Sequence, residues 1–314
     1  MKRAIPLLLI LILCAAMSAC GAAPAAPEIT AVPAAAPETA QTPATPAPDA
    51  PAGAQTPARP PEEEGTVYRM RVAETLPDGR LVLTDETELF FVVSPGAAEK
   101  ILLDGEPYDP GEPGAYQMLP GGRLDGLTVD VCCGGWKTEQ QPIEFEGVAS
   151  LRFYSIGTPE CPGGTTFDLC GLYLQVLEDL WAEDEGLNGG AKYVSVDLSD
   201  APGALCEGEK HAIAWIFAAA HGAEPLELDY EALAAQGYLT EIPETRGLYE
   251  WEDGLLFTIR DTSDPADVFS LPSIRFDAQK WRSPLGAFFF TDCSALWPAL
   301  GTWDGYNVGA MAIS

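Results

Sequence analysis

From Gly21 to about residue 61 the chain is almost wholly Ala, Pro, Thr and Gly, interrupted by Glu28, Glu38, Asp49 and Arg59. A segment with so little to bury cannot offset its own chain entropy, so it is expected to hold no packed structure. Its prolines favour an extended, semi-stiff spacer, and about forty residues at ~3.1 Å each reach on the order of 120 Å. Folding is thereby confined to residues 62–314, which is enough chain for one large or two ordinary domains.

What precedes the spacer explains its use. Lys2 and Arg3 form a short positive region, and "AIPLLLILILCAAM" follows with about a dozen apolar residues, too short for a comfortable membrane span. Met17-Ser18-Ala19-Cys20 closes the run with small residues before the cysteine. The arrangement resembles the bacterial lipoprotein signal, whose cysteine is diacylated and becomes the first residue of the mature chain. The resemblance implies a signal at 1–20, lipidation at Cys20 and a disordered tether at 21–61. One acyl chain holds a membrane only marginally, whereas two hold it stably. The expected location is the extracytoplasmic face of the cell membrane.

The chain carries 47 acidic and 17 basic residues, a formal charge of −30. Nucleic acid and anionic lipid headgroups would repel such a body, so no nucleic-acid partner is expected. An exported location permits disulfides. Cys161 and Cys170 bracket the Gly-rich "CPGGTTFDLC", a loop short enough for a bridge and equally compatible with two buried thiols. Cys132 and Cys133 are adjacent in a strand-like run, where neighbours face opposite ways. No C-x-x-C occurs and the two histidines have no ligand cluster nearby, so no structural metal and no cofactor are expected.

Residues 62–157 alternate short β-type runs with turn signals such as Pro77-Asp78-Gly79, consistent with about five strands in a small antiparallel β-barrel. The phrase "LDGLTVDVCCGGW…QPIEFEGVASLRFYS" resembles the closing half of the OB-like domains of Gram-positive lipoproteins. OB folds bind oligonucleotides or sugars in some families. Here no basic residues interleave with aromatics, so nucleic-acid binding does not carry over.

Residues 165–314 begin helical. Leu169, Leu172, Tyr173, Val176, Leu177 and Leu180 form a stripe over 167–185, with Asp168 as its cap. A strand at 191–198 and helices ending at Gly222 and Gly237 follow, then several hairpin-linked strands. The expectation is an α+β domain, helices on one face of an antiparallel sheet. Its end, "FDAQKWRSPLGAFFFTDC…W…VGAMAIS", resembles uncharacterised lipoproteins of clostridial type, a likeness that brings no activity with it.

No catalytic motif emerges. His211 and His221 lie ten residues apart on one helix, roughly 280° around it, and His221 suits the helix end. Cys206 is not aimed at His211 by its spacing. Asp261, Asp264 and Asp267 recur every three residues without the calcium-loop pattern, and read as a solvated turn. Lys280-Trp281-Arg282 stands out in so acidic a chain, because cations beside an aromatic can hold a carboxylate or a sugar. The competing reading is tryptophans in the core and cations paired with acids; Trp181, Trp215, Trp251, Trp297 and Trp303 share the region.

The expected role is non-catalytic: binding, sensing or envelope assembly, with a cell-envelope component or a small anionic or glycan ligand at Lys280, Trp281 and Arg282. The alternative is a carboxylate-dependent hydrolase of cell-wall or glycan material.

Overall fold

The computed structural model describes residues 65–112, 119, 123–138, 140–161, 168–243, 245–264, 273–296 and 305–314. Cys20, the signal, the tether, Asp267, Trp297 and Trp303 lie outside the described residues. The described residues fall within one compact unit, Arg59–Ser314.

Seven strands come first: β1 (Thr66–Thr75), β2 (Leu81–Thr84), β3 (Phe90–Val93), β4 (Lys100–Leu103), β5 (Glu106–Pro107), β6 (Thr128–Trp136) and β7 (Ile143–Tyr154). Hydrogen bonding runs β3-β2-β1-β6-β7, and a further pairing of β7 with β3 closes a five-stranded barrel. That closing pair is parallel, Phe91 opposite Ile143, so the barrel is antiparallel except at its seam. The β4–β5 hairpin adds to β7. Alternation places Met70, Val72, Leu83, Phe91, Val131, Leu151 and Phe153 inside, where closure also removes the unpaired edges.

The second half runs α1 (Leu169–Ala182), β8 (Tyr193–Asp197), α2 (Glu207–Ala220), β9 (Glu224–Leu226), α3 (Tyr230–Ala235), β10 (Thr240–Glu241), β11 (Tyr249–Glu250), β12 (Gly254–Asp261), β13 (Ser273–Ser283), β14 (Gly286–Leu296), β15 (Tyr306–Asn307) and β16 (Ala310–Ile313). The main sheet is ordered β15-β14-β13-β12-β8-β9, with β16 also on β14. The chain is thus mixed α+β, mostly strands with few helices.

Two details of the expectation need correction. The sheet is mixed, because β8 pairs parallel with both β12 and β9. The helical crossover α2 makes β9 parallel to β8, and α3 with the β10–β11 hairpin carries the chain from β9 to β12 on the other side of β8. Nor do the helices share one face. α1 and α2 cover Val194, Val196, Phe257 and Phe276, whereas Leu233 of α3 packs with Trp251, Leu256 and Trp281 on the other side.

α1 and α2 lie between two β surfaces. Ala73, Leu76, Val82, Phe90 and Val92 on the outside of the barrel join the same core as the helices and the main sheet. α1 is therefore buried on more than its expected stripe: Cys170, Gly171 and Leu174 are also inside. A helix buried on opposite faces requires apolar residues nearly all round. Among the described residues no helix is long and apolar enough to cross a membrane.

Candidate functional site

A cleft of about 680 Å3 opens where the β1–β2 turn faces α1 and α2. Its walls are Leu76, Leu174, Trp215, Ile216, Ala219 and Ala220, the two alanines leaving room along α2. Glu74 lines it, and so do Arg80 and Asp78 of the turn, Arg123, and Glu178 of α1.

Glu74 reaches the cleft because β1 is irregular. The β1–β2 register shifts between Val72 and Glu74, so Val72 lies opposite Leu83 and Glu74 opposite Val82. Leu83 points into the barrel and Val82 out of it. The bulge at Ala73 therefore turns Glu74 outward, where strict alternation from Val72 would have sent a carboxyl into the barrel core.

Around Glu74 the polar groups form a connected set. The Thr75 hydroxyl donates to Asp125 Oδ1 at 2.8 Å. Arg123 lies 3.3 Å from Asp168 Oδ2. Asp168, in the left-handed region at φ 57°, caps α1 by accepting from Gly171 N at 3.1 Å. That cap requires glycine at 171, because a Cβ there would lie 2.3 Å from Asp168 Oδ1. Burial, reinforced by Asp125 and Asp168 and opposed by Arg123, pushes the Glu74 carboxyl up to about 8. Burial also raises Asp125, against its Thr75 bond and Arg123. The cleft thus pairs an apolar wall with a carboxyl that is mainly protonated at neutral pH.

A pH dependence follows. A carboxyl raised on folding adds stability in full below its unfolded value of about 4.5, and that contribution is lost as pH rises through about 8. Glu74→Gln should flatten this decline and raise stability near pH 8.5 by about half of the roughly 5 kcal/mol that the full shift represents, since the side chain is part-exposed. Urea unfolding at pH 5 and pH 8.5 measures it, and a variant with the wild-type pH dependence would refute the assignment.

Lys280, Trp281 and Arg282 do not form a common patch. Successive strand residues face opposite ways, so Trp281 joins the α3 core, ring centroids 5.1 Å from Tyr230. Lys280 is fully buried. Its ammonium donates to Asn188 Oδ1 at 3.1 Å, Asp184 O at 3.3 Å, Trp181 O at 3.4 Å and Glu183 O. Arg282 donates to Leu187 O at 2.6 Å, Gly189 O at 2.7 Å, Trp251 O at 3.2 Å and Glu252 O. Both cations bind backbone carbonyls after α1 and beside β12, which leaves their donors engaged within the fold.

Cys161 and Cys170 are both buried and stand as free cysteines. Cys206 caps α2, its backbone N–H donating to Glu209 Oε2 at 2.9 Å. His221 ends α2, stacks on Trp181 with centroids 3.8 Å apart and meets Glu178 at 3.1 Å. His211 meets Glu227 at 2.6 Å. Asp261 accepts from Ser263 N at 2.7 Å, an Asx-type turn. No group of three or more potential metal ligands occurs among the described residues. Sequence reading did not single out Glu74, Asp125 or Arg123. Comparison with protein-family models, with characterised proteins and with solved structures finds no match to this chain.

Proposed function

We propose that this chain is a membrane-anchored extracytoplasmic lipoprotein, tethered through Cys20 and residues 21–61, whose body binds a small ligand without transforming it. The observation that carries the binding reading is the cleft: about 680 Å3, mainly apolar, with few polar groups at one end. Sites of that size and character are where small molecules bind. The barrel supports an OB-like reading, since its five strands in chain order pair 1-2-3-5-4 and the fourth pairs back with the first. OB folds take ligands on the face of strands 2 and 3 and with the loop between strands 1 and 2. Here Val82, Phe90 and Val92 of that face are covered by the helices, while the loop, Leu76 to Arg80, lines the cleft. The binding surface is thus narrowed to a pocket too small for an oligonucleotide, in keeping with the charge of −30.

Anchoring is tested by growing cells on radiolabelled palmitate. Label should enter the wild-type chain and be absent from Cys20→Ala; equal labelling of both would sink the anchor. Binding is tested by a thermal-shift screen of the unlipidated Cys20→Ala chain against muropeptides, glycans, small anions and small amines. A ligand that binds only the native state raises the midpoint, and Ala219→Trp, which fills the cleft, should abolish the shift.

One observation favours the hydrolase as second reading. A carboxyl raised to about 8 beside Asp125 and Asp168 is suited to general-acid work. That reading requires Glu74→Gln to retain substrate and lose turnover.

A further inference from the structure

We propose that the cleft selects an amine carried on a short apolar stem, its nitrogen meeting Glu74 and its stem lying along Leu174, Trp215 and Ile216. The inference rests on the cleft being the binding site.

The cations around the cleft are already paired with carboxylates, and two carboxyls, Glu74 and Asp125, remain beside them. On the β1–β2 turn, Arg80 Nε donates to Asp78 Oδ2 at 2.8 Å. Arg123, which also bears on Glu74, lies 3.3 Å from Asp168. On α1, Glu178 meets His221 at 3.1 Å. Asp125, from the loop before β6, holds the Thr75 hydroxyl at 2.8 Å. Each cation facing the cleft thus has a carboxylate, whereas Glu74 and Asp125 together exceed the positive charge available to them. An anionic ligand would oppose ionisation of both carboxyls, and a neutral one supplies no counter-charge to either. An ammonium group supplies what is missing and donates to a carboxylate oxygen at hydrogen-bond distance.

The opposite wall selects the remainder of the ligand. Leu174, Trp215, Ile216, Ala219 and Ala220 offer no side-chain charge, so a second ionised group on the stem would be desolvated without a partner. The Trp215 ring faces both this cleft and the smaller hollow beside His211, and an aromatic face adds attraction for a cation. A short aliphatic or aromatic amine satisfies both ends. A diamine or a sugar does not.

Binding has a proton balance that a purely apolar site lacks. The ammonium arrives charged, and the Glu74 carboxyl must give its proton to solvent to become the counter-ion. Up to one proton is released per amine bound at pH values below about 8, where the free carboxyl is protonated.

The test is calorimetric titration of the full Cys20→Ala chain with hexylamine, 1-hexanol and hexanoate, at pH 7 and ~150 mM salt so that the acidic surface is screened. Hexylamine is expected to bind at least tenfold more tightly than hexanol, with no detectable binding of hexanoate. Its heat should vary with buffer ionisation enthalpy, reporting proton release. Glu74→Gln should weaken hexylamine at least tenfold, leave hexanol unchanged and remove the buffer dependence. Hexanol or hexanoate binding as well as hexylamine would overturn the amine assignment and leave the cleft as a site. So would a Glu74→Gln chain that keeps the wild-type amine affinity. Ala219→Trp separates the two ideas: probe binding that survives it lies elsewhere, which removes the cleft reading itself. Absence of binding by all three probes overturns both.

Discussion

Glu209→Ala is expected to cost about 3–5 kcal/mol, the loss typical of removing one partner from a buried ion pair. Glu209 is 4% exposed, on the first turn of α2. Its Oε1 accepts from Arg71 of β1, and its Oε2 accepts from Cys206 N at 2.9 Å. The residue therefore joins the barrel to the helix and caps that helix at once. The joint is tight: Gly208 N donates to Thr87 O at 2.9 Å, and a Cβ on Gly208 would come within 2.5 Å of Leu89 O. Without Glu209, Arg71 keeps a largely buried guanidinium with Glu86 as its ion-pair partner, at 3.9 Å. Its Nε already lacks a hydrogen-bond partner among the described residues. Urea unfolding at pH 7 gives the number. Adding Arg71→Met should recover part of the loss, because the stranded charge goes with it. A single-variant loss under about 1 kcal/mol would show the pair to be unimportant.

The second large effect is expected at Lys280. Replacing it with Met keeps much of the apolar volume but takes the donor away from three backbone carbonyls and Asn188. Those carbonyls belong to the end of α1 and the turn after it, which a cation normally satisfies. Stranded acceptors of this kind cost about 1–3 kcal/mol each, and relaxation spreads the cost, so about 3–4 kcal/mol is expected in all. Arg282→Met should act in the same direction on Leu187, Gly189, Trp251 and Glu252. Thermal unfolding of each variant is the measurement. A Lys280→Met chain as stable as wild type, with altered ligand binding, would restore the residue to a binding role.

Lys280 and Arg282 also show what could be read in advance. Their separation from Trp281 follows from strand alternation alone, once 273–283 is assigned to a strand. Most of their partners could not be foreseen, because they are carbonyls about a hundred residues earlier whose exposure depends on how α1 ends. The α1 stripe, the Asp168 cap and the stops at Gly222 and Gly237 were legible because each is a local pattern. Leu174 was not: whether a helix has one neighbour or two is decided by the barrel, outside the stretch that encodes the helix. The same holds for β9, three residues whose parallel pairing with β8 leaves no periodicity of its own. Glu74 was the hardest to see. In "RMRVAETLPDG" it is one more charged residue in a strand, and only the bulge at Ala73 turns it from the barrel to the cleft.

The placement of α1 and α2 between two β surfaces has a kinetic side. Val176, Leu177, Ile213 and Phe217 belong to a core that includes both Val82 of the barrel and Phe257 of the main sheet. Opening either β surface alone would uncover helix residues that the other surface cannot shield. The amides of α1 and α2 should therefore exchange with solvent only through the largest cooperative opening, together with β1 and β12, while the exposed strand Ala310–Ile313 exchanges through local fraying. Cleavage by a protease within such a unit must wait for that rare opening. For this chain, resistance to digestion would be set by the two buried helices more than by either sheet.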